Sequence, residues 1–149
     1  MEKVTFLNLF LNLVGRRIRV ANKIKQTAAI KDILVNQGAD YRLQLRLCTG
    51  TKENHTPIDI TGYKFKCKIR ETADSDEVLA EADCHIVDAK NGLMEIFFDD
   101  SVTGKIETDG QTYDATSKYV WDLYATEPEG DISRIMNGTC YVSPGVSFD

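Results

Sequence analysis

Between Tyr41 and Cys48 the chain alternates apolar and polar residues one for one: Tyr41, Leu43, Leu45 and Leu47 against Arg42, Gln44, Arg46 and Cys48. A period of two puts one set of side chains in a core and the other in water, so it specifies a half-buried strand and excludes a helix, whose apolar face repeats every 3.6 residues. Tyr63, Phe65, Cys67 and Ile69 alternate in the same way with Lys64, Lys66, Lys68 and Arg70. So do Tyr119, Trp121 and Leu123 with Val120, Asp122 and Tyr124. Further strands are predicted at 29–35, 84–88 and 93–98, the last with Met94, Ile96 and Phe98 facing inward, and at 132–142, kinked near Asn137-Gly138. Asn36-Gln37-Gly38, Asn91-Gly92, Asp109-Gly110 and Pro128-Glu129-Gly130 supply the turn chemistry between them. Residues 49–57 and 71–82 read as polar loops, and 101–107 as a single helical turn. Seven or eight short strands with turns between them predict an all-β sandwich.

The first 28 residues break this pattern. Phe6, Leu9, Phe10, Leu13 and Val14 fall at the i, i+3, i+4, i+7, i+8 spacing of a helix face, with Gly15 as a C-cap. Arg16, Arg17 and Arg19 follow at once. Residues 1–37 carry seven Lys/Arg against Glu2 and Asp32, a net of +5, whereas the remainder carries eleven against twenty-one Asp/Glu, a net of −10. A basic, apolar arm on an acidic body is more informative than the overall charge of −5. Such a helix packs on its own domain, docks against another subunit or lies on a membrane surface; docking is the reading adopted here. The division expected is an arm over 1–28, partly helical, and a sandwich domain over 29–149. Phe6, Leu9, Phe10 and Leu13 are the candidate buried contacts, and Arg16, Arg17 and Arg19 the candidate charge contacts, with a partner protein. The apolar stretch 4–14 is interrupted by Asn8 and Asn12 and falls short of the ~20 residues needed to span a bilayer, so neither a membrane span nor a secretory leader is expected.

No catalytic, cofactor-binding or metal-binding residues are expected. Cys48, Cys67, Cys84 and Cys140 are widely and irregularly spaced with no C-x-x-C, which reads as free, mostly buried thiols. His55 lies in a polar loop. His85 neighbours Cys84 on a strand, where adjacent side chains point to opposite faces, so the two do not pair as base and nucleophile. Asp99-Asp100 lacks the glycine-spaced loop of a calcium site. The ladder Lys64, Lys66, Lys68, Arg70 has the chemistry to bind phosphate, but a solvated face or a charge-protected edge is the plainer reading. Nucleic acid is not an expected partner, because the body is acidic and its aromatics take core-facing positions.

Several stretches carry a resemblance. Leu34-Val35-Asn36-Gln37-Gly38-Ala39-Asp40, the corner Pro57-Ile58-Asp59-Ile60-Thr61-Gly62-Tyr63, Lys68-Ile69-Arg70, Asn91-Gly92, Tyr119-Val120-Trp121-Asp122-Leu123 and Gly138-Thr139-Cys140-Tyr141-Val142 occur in an order that resembles the immunoglobulin-like domains of tailed-bacteriophage tail and baseplate structural proteins, such as the N-terminal domain of the baseplate upper protein. The resemblance covers about three-quarters of the chain and omits the arm. It implies an immunoglobulin-like, antiparallel sandwich in a non-enzymatic structural protein of the virion, in the tail, baseplate or neck. Its expected partners are other virion proteins, with the chain itself in several copies or a ring, assembled in the host cytoplasm. The alternative is a module that binds a host-surface glycan or protein through the loops 49–57 and 72–81. Physically, the corner reads as a turn capped by Asp59 and bent at Gly62, which carries the chain from one sheet to the other. Asp122 is expected to face the cationic ladder, and Trp121 to sit in the core with Tyr63, Phe65 and Phe98.

Overall fold

A computed structural model describes residues 2–6 as backbone and residues 28–149 in full. Its described strands are β1 (Glu2–Phe6), β2 (Ala29–Ile30), β3 (Ile33–Asn36), β4 (Tyr41–Gly50), β5 (His55–Pro57), β6 (Lys64–Arg70), β7 (Ala80–Glu81), β8 (Asp83–Asp88), β9 (Leu93–Phe98), β10 (Ser117–Thr126) and β11 (Ile132–Ser143). A 3-10 turn over Ala89–Asn91 joins β8 to β9, and one helical turn, α1 (Asp100–Thr103), follows β9. One sheet has the order β1-β4-β9-β8, with β5 on β4; the other runs β2-β11-β10-β6-β7, with β3 on β11.

The alternating segments are strands for the reason their period implies. Leu43, Leu45 and Leu47 of β4 are fully buried, as are Cys67 and Ile69 of β6 and Leu123 of β10. Met94, Ile96 and Phe98 of β9, beside the β4 leucines in the first sheet, join Trp121, Met136, Cys140 and Val142 of the second in one continuous core. Each large side chain removed from water in this way contributes about 1.5–3 kcal/mol. Tyr63 and Phe65 pack against the same core, with their rings stacked at 6.1 Å between centroids. Cys48, Cys67 and Cys140 are buried, Cys84 is half-buried, and all four are free thiols.

The corner behaves as its residues imply. The Asp59 carboxylate accepts from Thr61 N–H at 3.0 Å and from Thr61 Oγ1 at 2.6 Å. Gly62 has φ +81°, the left-handed region that a side chain disfavours. Together they pass the chain from β5, on the first sheet, to β6, on the second.

Several expectations are corrected. The strand count is higher than predicted because segments such as β2, β5 and β7, of two or three residues, are too short to display a period. The loops at 49–57 and 71–82 therefore contain strand residues. The sheets are not purely antiparallel: β1 runs parallel to β4, and β2 and β3 run parallel to β11. The strand predicted over 29–35 is broken at Lys31-Asp32. There the Trp121 indole N–H donates to Lys31 O at 2.9 Å, and the Asp32 carboxylate accepts from Thr139 N–H at 3.0 Å. Gly138 stands opposite Trp121, and a Cβ on it would lie 1.9 Å from Lys31 O, so glycine is needed there for close approach and not for a kink. The irregularity of β11 lies earlier. The register steps from Leu123–Met136 to Tyr124–Arg134, leaving Ile135 as the extra residue of a bulge.

Of the residues at helical spacing, Phe6 is the one described, and it closes a strand. Glu2–Phe6 pairs with Leu43–Leu47 residue for residue, ending with Phe6 opposite Leu47. The edge of β4 offers a full row of backbone donors and acceptors, which a short strand satisfies and a helix cannot. The rest of the predicted helix lies outside the described residues.

Candidate functional site

The outer face of the second sheet is organised by register. Residues directly paired across a sheet share a face, so β6, β10 and β11 set three rows: Arg70–Val120–Thr139, Lys68–Asp122–Asn137 and Lys66–Tyr124–Arg134. The bulge at Ile135 places Arg134 in the third row. Without the extra residue, strict alternation from Asn137 would turn Ile135 outward and Arg134 toward the core.

A wall closes one side. Arg70 Nη1 donates to the carbonyls of Ser75 and Asp76, each at 2.7 Å, and holds the 72–76 loop beside the sheet. Thr72 tightens that loop through its Oγ1 to Asp74 Oδ1 (2.6 Å) and its N–H to Ser75 Oγ (3.1 Å). Loop and sheet enclose an open groove of about 790 Å³, a size typical of small-ligand sites. Tyr124, 37% exposed, is the aromatic surface on its floor.

Asp122 is the electrostatic centre. Burial lifts its carboxyl above the ordinary carboxylate value, and the nearby charges of Arg134, Arg70 and Lys68 offset only part of that lift. By contrast, hydrogen bonds from Thr61, Thr72 and Ser101 hold the Asp59, Asp74 and Asp99 carboxyls below their ordinary value. A half-desolvated carboxylate among cations can accept hydrogen bonds, while the flanking Lys and Arg side chains can donate to an anion. The expected pairing of Asp122 with the ladder is present, and the ladder forms one side of a groove as well as a solvated face.

The candidate partner contacts fare differently. Phe6 closes β1, whereas Leu9, Phe10, Leu13, Arg16, Arg17 and Arg19 lie outside the described residues. The alternative binding loops 49–57 and 72–81 do not come together as one surface. The first is partly taken up by β5 pairing with β4, and the second supplies the groove wall. On the outer face of the first sheet, Glu95 is buried, with its carboxylate 2.9 Å from Arg42 Nη1 and 3.4 Å from His85 Nε2, while Arg42 also lies 3.7 Å over the Phe97 ring. His85 is thus tied to a carboxylate. Among the described residues no three His, Cys, Asp or Glu side chains are placed to hold a metal ion, and no helix is long and apolar enough to cross a membrane.

Sequence reasoning had Asp122 and the ladder, but not Arg134, Asn137 or Tyr124 as members of a site. The outward position of Tyr124 on β10 could be read from alternation; its convergence with Arg134 and Asn137 of β11 depends on pairing and on the bulge.

No family model matches the chain, and no curated protein matches its sequence. Among solved structures, the chain is similar to the N-terminal domain of phage TP901-1 ORF48, at 13% identity and a TM-score of 0.37 over 78% of this chain and 86% of that one. It is also similar to murine CRIg, at 9% identity and a TM-score of 0.33 over 77% and 92%. A third is CopC from Methylosinus trichosporium OB3b, at 14% identity and a TM-score of 0.37 over 82% and 91%.

Proposed function

We propose that the protein is a non-enzymatic structural component of a phage particle, in its tail, baseplate or neck. Its body, 29–149, is an immunoglobulin-like platform to whose first sheet β1 adds along β4, and the remainder of the arm, 7–28, joins it to neighbouring virion proteins. The observation that carries this reading is the split within the chain, in which an apolar, basic arm with a net charge of +5 over 1–37 precedes an acidic body with a net of −10. Buried apolar contacts from Leu9, Phe10 and Leu13, beyond the end of β1 at Phe6, would hold a partner, and Arg16, Arg17 and Arg19 would pair with acidic groups on it. Repetition in a multi-copy ring multiplies a modest contact by avidity.

Two further features support the platform. The order β1-β4-β9-β8 against β6-β10-β11 has the A-B-E-D and C-F-G arrangement of immunoglobulin sandwiches, with β2 and β3 crossing to pair with the last strand. The corner on which the family resemblance most depends, Pro57–Tyr63, sits between the second and third of those strands and is capped through Asp59.

The test is assembly. Deleting residues 1–22 should leave a folded, soluble domain that no longer sediments with particles when supplied to a phage lacking the native gene. Incorporation of the truncated chain at the level of the full chain would refute the docking arm.

A further inference from the structure

Three observations about the outer face of the second sheet bear on what it holds. The first is shape: the face is concave and walled, because Arg70 pins the carbonyls of Ser75 and Asp76 beside it. An ordinary solvated strand face has no wall. The second is composition by row. Lys66 and Arg134 flank Tyr124, and Lys68 and Asn137 flank Asp122, so cations bracket an aromatic ring while a carboxylate and an amide lie one row away, two residues along β6 and β10 and three along the bulged β11. The third is contrast with the rest of the body. Residues 38–149 carry a ten-charge acidic excess, whereas the groove is lined by Lys66, Lys68, Arg70 and Arg134 against Asp74, Asp76 and Asp122, with Lys68 also 4.0 Å from Glu81, so positive charge is locally in slight excess.

Each part of that arrangement selects chemistry. An aromatic side chain partly open to solvent offers a flat apolar surface for a ring. The Asp carboxylate accepts hydrogen bonds from hydroxyls and the Asn amide both accepts and donates, and a carboxylate in a half-desolvated place accepts more strongly than in water. Lys and Arg on either side of the ring take a carboxylate or a phosphate, Arg through its planar fork. A purely acidic peptide would use the cations but leave the Asp122 carboxylate facing its own charge. A neutral sugar would use Tyr124, Asp122 and Asn137 but make no use of the positive charge on either side of the ring.

We propose that this groove, floored by Lys66, Lys68, Asp122, Tyr124, Arg134 and Asn137, is a binding site for an acidic saccharide. The sugar ring lies on Tyr124, its anionic group sits between Lys66 and Arg134, and its hydroxyls meet Asp122 and Asn137. The site is on the sheet face and not on the end loops, and it does not depend on the docking role of the arm.

Titration calorimetry of the full chain tests it with four probes: tetragalacturonate for a carboxylated saccharide, mannose 6-phosphate for a phosphorylated one, maltotetraose as the neutral counterpart and a tetraglutamate peptide. Saturable binding of either acidic sugar, with maltotetraose and tetraglutamate at least about tenfold weaker, is expected. Tyr124→Ala and Arg134→Gln should each weaken it by about tenfold, whereas Lys52→Gln, which removes one charge from a distant loop, should not. All three sites are on the surface, and unchanged circular dichroism establishes that the variants fold. Equal binding of tetraglutamate would overturn the saccharide, and equal binding of maltotetraose the requirement for an anion. No saturable binding by either acidic sugar, or equal weakening by Lys52→Gln, would overturn the site.

Discussion

At the scale of single residues, the core depends on one polar contact. Trp121 is almost wholly buried, and its indole N–H reaches Lys31 O across Gly138. Trp121→Ala removes both the packed ring and the partner of a carbonyl, and should cost about 3–5 kcal/mol in urea unfolding. Gly138→Ala forces a methyl group against the same carbonyl and should cost about 1–3 kcal/mol; equal stability to wild type would mean that the β2–β3 break closes differently. Asp122 has a pH signature of the opposite sign to an ion-paired carboxylate. Because its folded pKa is raised, the native state binds a proton more tightly than the unfolded chain. Stability is therefore lost as pH rises through the window between the unfolded and folded values, and the penalty is fully present above it. Asp122→Asn should accordingly melt higher than wild type at pH 7, with the difference shrinking by pH 3; a difference that instead grows on acidification would reverse the assignment.

At the scale of elements, what matters is which edges are occupied. β4 is the backbone template for three partners: β9 on one side over Tyr41–Arg46, β1 on the other over Leu43–Leu47, and β5 over its last residues, Cys48–Gly50. Removing residues 2–6 should leave the amides of 43–47 that point toward β1 exchanging with deuterium at least roughly tenfold faster, and those bonded to β9 unchanged. Uniform protection in the truncated chain would show that β1 contributes nothing to this edge. Phe6, the first of the residues at helical spacing, ends this strand because an open sheet edge outweighs intrinsic propensity over so short a segment.

At the scale of the whole molecule, the two sheets share one core, in which β4 and β9 side chains meet those of β6, β10 and β11. A chain lacking residues 1–22 keeps every one of those contacts, and should unfold in a single cooperative transition whether followed by Trp121 fluorescence or by circular dichroism. That outcome separates loss of assembly from loss of folding in the deletion experiment. The acidic body and the basic groove floor then belong to one rigid unit.

The sequence by itself determined which residues face inward. Alternation in β4, β6, β9 and β10 is a local property, set by a pleat that every strand shares, and it placed Leu45, Ile69, Ile96 and Trp121 correctly. It also determined the Asp59–Gly62 corner, because capping and left-handed backbone are decided within four residues. Only the tertiary structure decided which strands lie side by side, and with that the groove. Arg134 joins Tyr124 and Lys66 because an extra residue in β11 shifts its register against β10, and the 72–76 loop becomes a wall because Arg70 reaches its carbonyls. Both depend on partners distant in the chain or on an irregularity that leaves no period, so the positive ladder was legible from its own strand while the site it belongs to was not.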